Sequence, residues 1–238
     1  MGFFKHLTNR SATVKVKPKI EINNDIEIAD ALFSSLNIGV GIEISKEAQK
    51  ILATCNSRQD VLDRIIELAS KHDTPRSRKL LALSYAWKGA TYRKEAIEAL
   101  NNYINNELDE SEFRNMFIPG TTIFASISEE AKNRHLSDMY NFLGKCYEGE
   151  YEFDKALETF QKSHELAPEY IHNVLNVARV YSKLNDIDKS IEMLEQYKRT
   201  TWYLNDESNR EVTNNYLSEY KGKKERGYVY RPRKRKEI

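Results

Sequence analysis

The feature that most constrains the fold is a pattern of small and large residues that recurs after 34 positions. In one copy of the pattern, the residues with packing roles are Tyr140, Leu143, Gly144, Tyr147, Ala156, Phe160 and Pro168. In the next copy the corresponding residues keep their sizes: Val177, Ala178, Tyr181, Ser190 and Leu194. A unit of this length is one pair of helices, which cannot bury its apolar face alone and needs neighbouring copies to stack on. The sequence therefore predicts a stack of similar helix pairs.

Two small residues in the copy that contains Tyr140 mark the place where its two helices cross. Gly144 and Ala156 have to be small because two antiparallel backbones approach each other closely there, and the large residues around them fill the space on either side. Pro168 lacks a backbone N–H and cannot continue a helical ladder, so we expect the second helix to end before it. The first helix is expected to run from near Ser128 to near Gly149.

This order of residues resembles the tetratricopeptide repeat, with Tyr140 at the position where that family usually has Trp. The resemblance implies an all-α fold, an α-solenoid of antiparallel helix pairs stacked into a right-handed superhelix. It also implies a concave face, lined mostly by the first helix of each pair, on which proteins similar to this family usually bind peptides or partner proteins. We expect three repeats with this spacing, a degenerate leading hairpin and a C-terminal capping helix.

The same spacing divides the rest of the chain into segments. A further repeat has Ala82 at its small crossing position, but its second half starts two residues later than the 34-residue spacing requires, which predicts a longer turn. The apolar patterns over 45–55 and 58–72 predict the two helices of the leading hairpin. The predicted segments are a basic, extended N-terminal segment (1–24), leading helices of a degenerate repeat (25–74), repeat 1 (75–106), an insertion (107–127), repeat 2 with an extended first helix (128–170), repeat 3 (171–204), a capping helix (205–220) and a basic tail (221–238).

Charged residues are distributed unevenly along the chain. The formal net charge is +1, but residues 1–20 carry five Lys or Arg and no acidic residue, and residues 221–238 carry nine basic and two acidic residues. Residues 21–220 therefore have a net charge of −11. Basic ends of this kind can contact nucleic acid, anionic lipid or acidic protein, or they can be solvated tails without a specific partner.

Sequence motifs for catalysis, cofactors and metals are absent. There is no glycine-rich phosphate loop, no HExxH and no nucleophile elbow, so we predict no enzyme activity and no cofactor. His164 and His172 fall on successive helices and are interpreted as surface or structural histidines, so no metal site is expected. Cys55 and Cys146 lack metal-binding spacing and are predicted to be free, reduced thiols. Because no apolar stretch is long enough to span a bilayer, we predict a cytoplasmic protein without a membrane partner.

The first helices of the three repeats carry polar and basic residues opposite their packing sides. Residues three or four apart share one face of a helix, and stacking brings residues at the 34-residue period into line. We therefore predict a peptide-binding row on the concave face, formed by Lys79, Asn141, Lys145, Asn176 and Arg179. An Asn amide can bond both the N–H and the C=O of an extended peptide, and Lys or Arg can pair with its carboxylates. The predicted ligand is an extended peptide or partner protein with acidic groups.

This row differs from the carboxylate clamp of the family's chaperone-binding members, since Leu83 and Phe142 stand where Asn would be expected. A chaperone C-terminus is therefore not the expected ligand. Two other functions stay open beside an adaptor that binds one partner protein. One is a nucleic-acid-associated protein that uses the basic tail, with Tyr228 and Tyr230 stacking on bases. The other is a sensor of a small peptide signal.

Overall fold

The computed structural model describes residues 24–37, 45–106 and 128–232. These residues contain eleven α-helices, one 3-10 helix and no β-strand. Three of the segments predicted from the sequence lie wholly or partly outside the described residues: the extended N-terminal segment, the insertion over 107–127 and the end of the basic tail over 233–238.

The helices follow one another along the chain with short connections, apart from the two internal gaps. Their bounds are α1 Asn24–Asn37, α2 Lys46–Leu52, α3 Arg58–Ala69, α4 Pro75–Lys88, a 3-10 helix Ala90–Tyr92, α5 Arg93–Asn105, α6 Glu129–Gly149, α7 Phe153–Leu166, α8 Ile171–Lys183, α9 Ile187–Tyr197, α10 Thr201–Asn205 and α11 Glu207–Glu225.

Helix pairs stack in the order of the sequence. The pairs are α4 with α5, α6 with α7 and α8 with α9, and each second helix also packs on the first helix of the next pair. In this way α5 contacts α6, α7 contacts α8 and α9 contacts α11. The predicted all-α solenoid of antiparallel helix pairs is therefore confirmed.

The leading pair differs from the predicted one. We expected the patterns over 45–55 and 58–72 to pack as a hairpin, but α3 packs mainly on α1 and α4, and the short α2 lies against α1. The reason is the amount of apolar surface each helix offers. In α1 the side chains of Ile26, Ala29 and Leu32 are all buried, whereas Ala48 is the one buried residue of α2. Helices α1 and α3 thus form a leading repeat, and α2 is an addition to the connection between them.

The starts of α3 and α4 have a local explanation in their capping residues. Ser57 and Thr74 accept hydrogen bonds from backbone N–H groups of the first turn, and each forms a reciprocal capping box with the residue three positions later. Pro75 follows Thr74 at the first helical position, where its missing N–H costs nothing. The Ser57 cap sets where α3, the second helix of the leading repeat, begins. The Thr74 cap sets where α4, the first helix of repeat 1, begins.

The turns within the pairs explain why the second half of repeat 1 begins late. In repeats 2 and 3 the turn holds one residue in the left-handed region, Tyr151 with φ 65° and Asn185 with φ 64°, and these two positions are 34 residues apart. In repeat 1 the turn contains Gly89, with φ 86°, followed by the 3-10 helix Ala90–Tyr92. The extra 3-10 turn accommodates the additional residues that the sequence predicts there.

The helix crossing in repeat 2 leaves no room for a side chain at Gly144. A Cβ atom at this position would lie 2.6 Å from Cε1 of Phe160, whose side chain is fully buried. The other small crossing residues, Ala82, Ala156 and Ala178, are also fully buried. In repeat 3 the hydroxyl of Ser190, which replaces Ala156, donates a hydrogen bond of 2.8 Å to the carbonyl of Ala178. This bond satisfies the one polar atom that the replacement introduces.

The C-terminal end of the array is longer than expected. The capping helix predicted over 205–220 is α11, which begins at Glu207 and continues to Glu225, and a separate short helix, α10, precedes it. Thr213, Leu217 and Tyr220 are buried against the array, while Asn215 and Glu219 on the opposite side of the helix are exposed. A polar outer side of this kind prevents further stacking at the end of a solenoid.

Candidate protein-binding face

The first helices of the repeats form one layer, which we call the first-helix face. It consists of α1, α4, α6, α8 and α11. Within it α1 contacts α4, α4 contacts α6 and α8 contacts α11, and the side chains of α6 and α8 are joined by hydrogen bonds and ion pairs. Residues at equivalent positions of neighbouring repeats are therefore close enough to act together.

Three asparagines connect α6 to α8 at the centre of this face. The Asn141 amide donates to Oδ1 of Asn173 at 2.5 Å, and the Asn176 amide donates to Oδ1 of Asn141 at 2.7 Å. Asn173 and Asn176 are buried, whereas Asn141 is half-buried. The Asn141 amide has two N–H groups and two acceptor positions, so one N–H and one acceptor position are not used by the described residues.

The asparagine network continues into the interior between the repeats. Nδ2 of Asn173 lies within hydrogen-bond distance of Oγ of Ser137 and of the carbonyls of Ser163 and Ala167, at 3.0, 3.1 and 2.8 Å. The Ser137 and Ser163 hydroxyls are 2.9 Å apart and both side chains are fully buried. Burying polar groups is costly unless they are hydrogen-bonded. This network therefore fixes how repeat 3 is placed on repeat 2.

An ion triad lies next to the asparagines. Glu148 on α6 accepts two hydrogen bonds from Arg179 on α8, at 2.8 and 2.9 Å, and its Oε1 is 2.8 Å from Nζ of Lys183. Burial alone would raise the pKa of Glu148, but the hydrogen bonds and charges of Arg179 and Lys183 outweigh it and hold the pKa below its ordinary value. The carboxylate is thus ionised, and Arg179 is committed to a contact within the protein.

Lys145 is the exposed cation of the same region. It lies on α6, one helical turn after Asn141 and one before Gly149, and it makes no hydrogen bond or ion pair with the described residues. Its ammonium group is 5.8 Å from the centre of the Phe142 ring. The charge of Lys145 also lowers the pKa of Asp138, although burial raises that pKa more strongly. Lys145 therefore points to solvent beside the half-buried Asn141.

Lys79 lies in a different part of the face from the rest of the predicted row. It is on α4, where Arg76 pairs with Asp30 of α1. Burial lowers the pKa of Lys79, and the charge of Asp30 partly opposes this. Helix α1 of the leading repeat thus packs beside Lys79, whose charge also lowers the pKa of His135 on α6.

The structure therefore divides the predicted row into groups with different roles. Asn141, Asn176 and Arg179 come together in one region, but Asn176 is buried and Arg179 is paired. Lys145 is on the same helix as Asn141 and is exposed, and Lys79 is apart from them.

Sequence reasoning missed Asn173, which holds the network together. Its counterpart 34 residues earlier is Met139, which is buried. An Asn at a position that is apolar in the preceding repeat is a signal that could have predicted a buried polar contact.

The histidines and cysteines do not assemble into a metal site in the part of the chain that the structure describes. No group of three or more His, Cys, Asp or Glu side chains there could hold a metal ion. His164 is half-buried on α7 and His172 is exposed on α8. Cys146 is a buried free thiol whose pKa is raised to about 11 by burial, and Cys55 is half-buried and also free. Both cysteines are unpaired, as the sequence predicts.

One comparison with known protein families matches the region of repeats 2 and 3. The family model of the tetratricopeptide repeat matches residues 137–170 and 172–199. No curated protein matches the chain. None of the described helices is long and apolar enough to cross a membrane.

Several solved structures resemble this one at low sequence identity. "Crystal structure of MamA" is 16% identical, with a TM-score of 0.44, and the match covers 78% of this chain and 98% of that one. "MamA MSR-1 C2" is 12% identical, with a TM-score of 0.44 and coverage of 85% and 98%. "Crystal structure of MamA protein" is 14% identical, with a TM-score of 0.39 and coverage of 86% and 99%.

Proposed function

Because residues 137–170 and 172–199 are tetratricopeptide repeats, we propose that the chain is a non-catalytic protein-interaction module. In this proposal it acts as an adaptor that binds an extended peptide, or a partner protein that presents one, on the first-helix face of repeats 2 and 3. Residues of successive repeats that share this face can contact successive positions of one extended ligand.

The observation that carries the proposal is the exposed Lys145 beside Asn141. Among the described residues of this region, Arg179 and Lys183 are paired with Glu148, whereas the charge of Lys145 is available to a ligand. It can pair with a carboxylate of the partner, while the unused N–H of Asn141 can bond a backbone carbonyl. This arrangement favours an extended ligand with an acidic group.

The roles of the other predicted contact residues change accordingly. Asn176 positions Asn141, because its amide donates to Oδ1 of Asn141. Arg179 keeps Glu148 ionised and paired and is a secondary contact. Lys79 is not expected to touch a ligand that is bound at Lys145, because it lies beside α1 and Asp30.

The test is capture of the partner by the intact chain and two charge-reversal variants. Affinity purification from an extract of the source organism, followed by mass spectrometry, identifies the proteins that the wild-type chain retains. Lys145→Glu is compared with Lys162→Glu, a charge reversal at an exposed lysine of the second helix α7 that pairs with Glu158 on the same helix. We expect Lys145→Glu to weaken capture by at least about tenfold, or roughly 1.4 kcal/mol, and Lys162→Glu to leave capture unchanged. Equal capture by both folded variants would move the binding site elsewhere.

The same variants separate this function from binding of nucleic acid through the basic tail. Phosphate contacts make retention on DNA strongly salt-dependent. A chain that binds nucleic acid through its tail would be retained on DNA equally well with Lys145→Glu. Such a result, together with unchanged partner capture, would favour the alternative.

A further inference from the structure

The chain turns back along the array after its last helix. Helix α11 ends at Glu225, and Gly227, with φ 60°, reverses the chain direction. The residues that follow reach the turn between α8 and α9, where Tyr230 lies beside Asn185. We call residues 226–232 the return segment. It lies at the turn ends of repeats 2 and 3.

One side chain of the array contacts both backbone groups of Tyr230. The backbone N–H of Tyr230 donates to Oδ1 of Asn185 at 2.5 Å, and Nδ2 of Asn185 donates to the carbonyl of Tyr230 at 3.4 Å. An asparagine amide that bonds both the N–H and the C=O of one residue recognises the peptide backbone and does not depend on the side chain of that residue. The contact is therefore suited to peptides in general.

The ring of Tyr230 has its own contacts. It meets the Phe153 ring edge to face, with centroids 5.7 Å apart and planes at 84°. The Lys183 ammonium is 5.8 Å from the Tyr230 ring and 5.6 Å from the Phe153 ring. An aromatic pair contributes about 0.5–1.5 kcal/mol beyond its buried area. These contacts select an aromatic residue at this position.

Tyr230 attaches the return segment to the turns of repeats 2 and 3, while Tyr228 bonds to the end of α11, where its backbone N–H donates to the carbonyl of Lys223 at 3.0 Å. Tyr228 and Val229 are 42% and 57% exposed, and Arg231 and Pro232 are exposed as well. One anchored residue with two hydrogen bonds and a ring contact makes a weak attachment. A short tether nevertheless holds a ligand at an effective concentration in the millimolar range, so a weak site can be filled from within the same chain.

We propose that Asn185, Phe153 and Lys183 form a second peptide-binding subsite, which takes a tyrosine within an extended polypeptide segment. In the free protein the chain's own Tyr230 fills this subsite as an intramolecular ligand. A partner with an extended tyrosine-containing segment binds there after it displaces the return segment. The subsite goes beyond the proposed function, because it lies at the turn ends and uses neither Lys145 nor Asn141.

Asn185 offers a substitution that removes the contact without disturbing the turn. Its φ of 64° lies in the left-handed region, which Gly adopts without strain. Asn185→Gly therefore keeps the turn and loses the amide. Tyr151→Gly is the control for glycine at such a position, because Tyr151 occupies the same left-handed position one repeat earlier, with φ 65°. It removes the contact of the Tyr151 ring with the Phe153 ring at 6.0 Å but leaves the Asn185 amide in place.

The experiment uses the full chain and a fluorescently labelled peptide with the sequence of the return segment, RGYVYRP. Tyr230→Ala empties the subsite, so we expect this variant to bind the peptide at least tenfold more tightly than wild type by fluorescence anisotropy. The double variant Tyr230→Ala/Asn185→Gly should lose the gain, and the peptide RGYVARP, which has the same charge, should bind no variant. Equal binding to wild type and Tyr230→Ala, or no binding to either, would overturn the proposal.

Limited trypsin digestion of the full chain provides a second readout at the Arg226–Gly227 bond, because trypsin does not cleave the bond between Arg231 and Pro232. We expect Asn185→Gly to accelerate cleavage after Arg226 severalfold and Tyr151→Gly to accelerate it less, because Tyr151→Gly leaves the Asn185 amide in place. Equal rates in wild type and Asn185→Gly would show that Asn185 does not hold the return segment, and would overturn the proposal. Failure of either experiment leaves the Lys145 test unaffected.

Discussion

The two halves of this array reach the same architecture by different local means. Repeats 2 and 3 have turns with one left-handed residue and a 34-residue spacing. In the leading half, α2 interrupts the pair formed by α1 and α3, and a 3-10 helix lengthens the turn of repeat 1. Both halves nevertheless keep a small, fully buried residue in the first helix of a pair, Ala82 or Gly144 and Ala178. Close packing at the crossing is therefore what defines the repeat, and turn length can vary.

The contacts between neighbouring repeats also differ. Repeats 2 and 3 are joined by the buried network of Ser137, Ser163 and Asn173. In the leading half the Phe33 and Trp87 rings stack at 4.5 Å, Arg58 lies 4.8 Å from the Trp87 ring, and Arg76 pairs with Asp30. Aromatic contacts and single ion pairs tolerate small shifts, whereas a buried hydrogen-bond network accepts few arrangements. The second half thus has the more exactly specified geometry, which suits a surface that binds a partner.

The largest expected effect comes from filling the crossing in repeat 2. Gly144→Leu would place new atoms into the ring of the buried Phe160, and overpacking a core costs about 1–3 kcal/mol and occasionally more. We expect a loss of about 3 kcal/mol in the free energy of unfolding, measured by urea denaturation.

Two alanine variants test whether this loss comes from the crossing itself. Gly144→Ala should also destabilise the protein, although Ala favours a helix over Gly by about 1 kcal/mol. Gly222→Ala is the control, because its Cβ would meet only the Arg226 side chain at 3.1 Å, and it should be neutral or stabilising. A Gly144→Ala variant that is as stable as Gly222→Ala would show that Gly144 does not lie at a close helix crossing.

The next effect concerns the junction of the two halves, where Oη of Tyr103 on α5 lies 2.6 Å from Nε2 of His135 on α6. Burial lowers the pKa of His135 from 6.5 to about 4, and the charge of Lys79 adds to this. Below pH 6.5 His135 therefore binds a proton in the unfolded chain but not in the folded chain. The free energy of unfolding has its full contribution from this group above pH 6.5 and falls as the pH drops towards 4. The expected loss is on the order of 3 kcal/mol.

Urea unfolding at several pH values measures this dependence. His135→Gln can keep a hydrogen bond to Tyr103 but cannot titrate, so its stability should change less than that of wild type between pH 7 and 4. His172→Gln, at an exposed position, should follow the wild-type curve. If His135→Gln follows that curve as well, the pH dependence does not come from the junction.

A smaller effect is expected at the network between repeats 2 and 3. Asn173→Met introduces the residue that repeat 2 has at the same position and leaves the Ser163 and Ala167 carbonyls without this donor. A buried polar group without a partner costs about 1–3 kcal/mol, so we expect a loss of about 2 kcal/mol by thermal or urea unfolding. Unchanged stability would mean that an apolar contact can replace the network, as in the leading half.

The smallest effect is expected at Tyr151, whose left-handed backbone is unfavourable for a residue with a bulky side chain. Asn185, at the same position in repeat 3, tolerates this conformation better. Tyr151→Asn should therefore stabilise the chain by up to about 1 kcal/mol, less what is lost from the edge-to-face contact of Tyr151 with Phe153 at 6.0 Å. A clear loss in differential scanning calorimetry would show that this ring contact outweighs the strain.

Sequence alone predicted repeats 2 and 3 because their period is regular and their small residues occupy the crossings. The leading hairpin was wrong because α2 has an apolar pattern like that of a core helix, and the choice between α1 and α2 as partner of α3 depends on tertiary packing. In the structure Asn176 is hydrogen-bonded to Asn141 and Arg179 follows Asn176 by one helical turn, but peptide binding by these residues stays a prediction. The spacing could not show that Glu148 pairs with Arg179, or that Tyr230 returns to Asn185, because both contacts join residues far apart in sequence.

Photo-crosslinking in the source cells would show whether the first-helix face around Lys145 binds a partner protein. The photoreactive residue p-benzoylphenylalanine replaces Phe142, whose ring centre is 5.8 Å from the Lys145 ammonium, or Lys162 on α7 as the control. We expect irradiation to join a partner protein to the chain labelled at 142, Lys145→Glu to abolish this product, and the chain labelled at 162 not to form it. The same products from both positions, or a product at 142 that persists with Lys145→Glu, would mean that this face does not bind the partner.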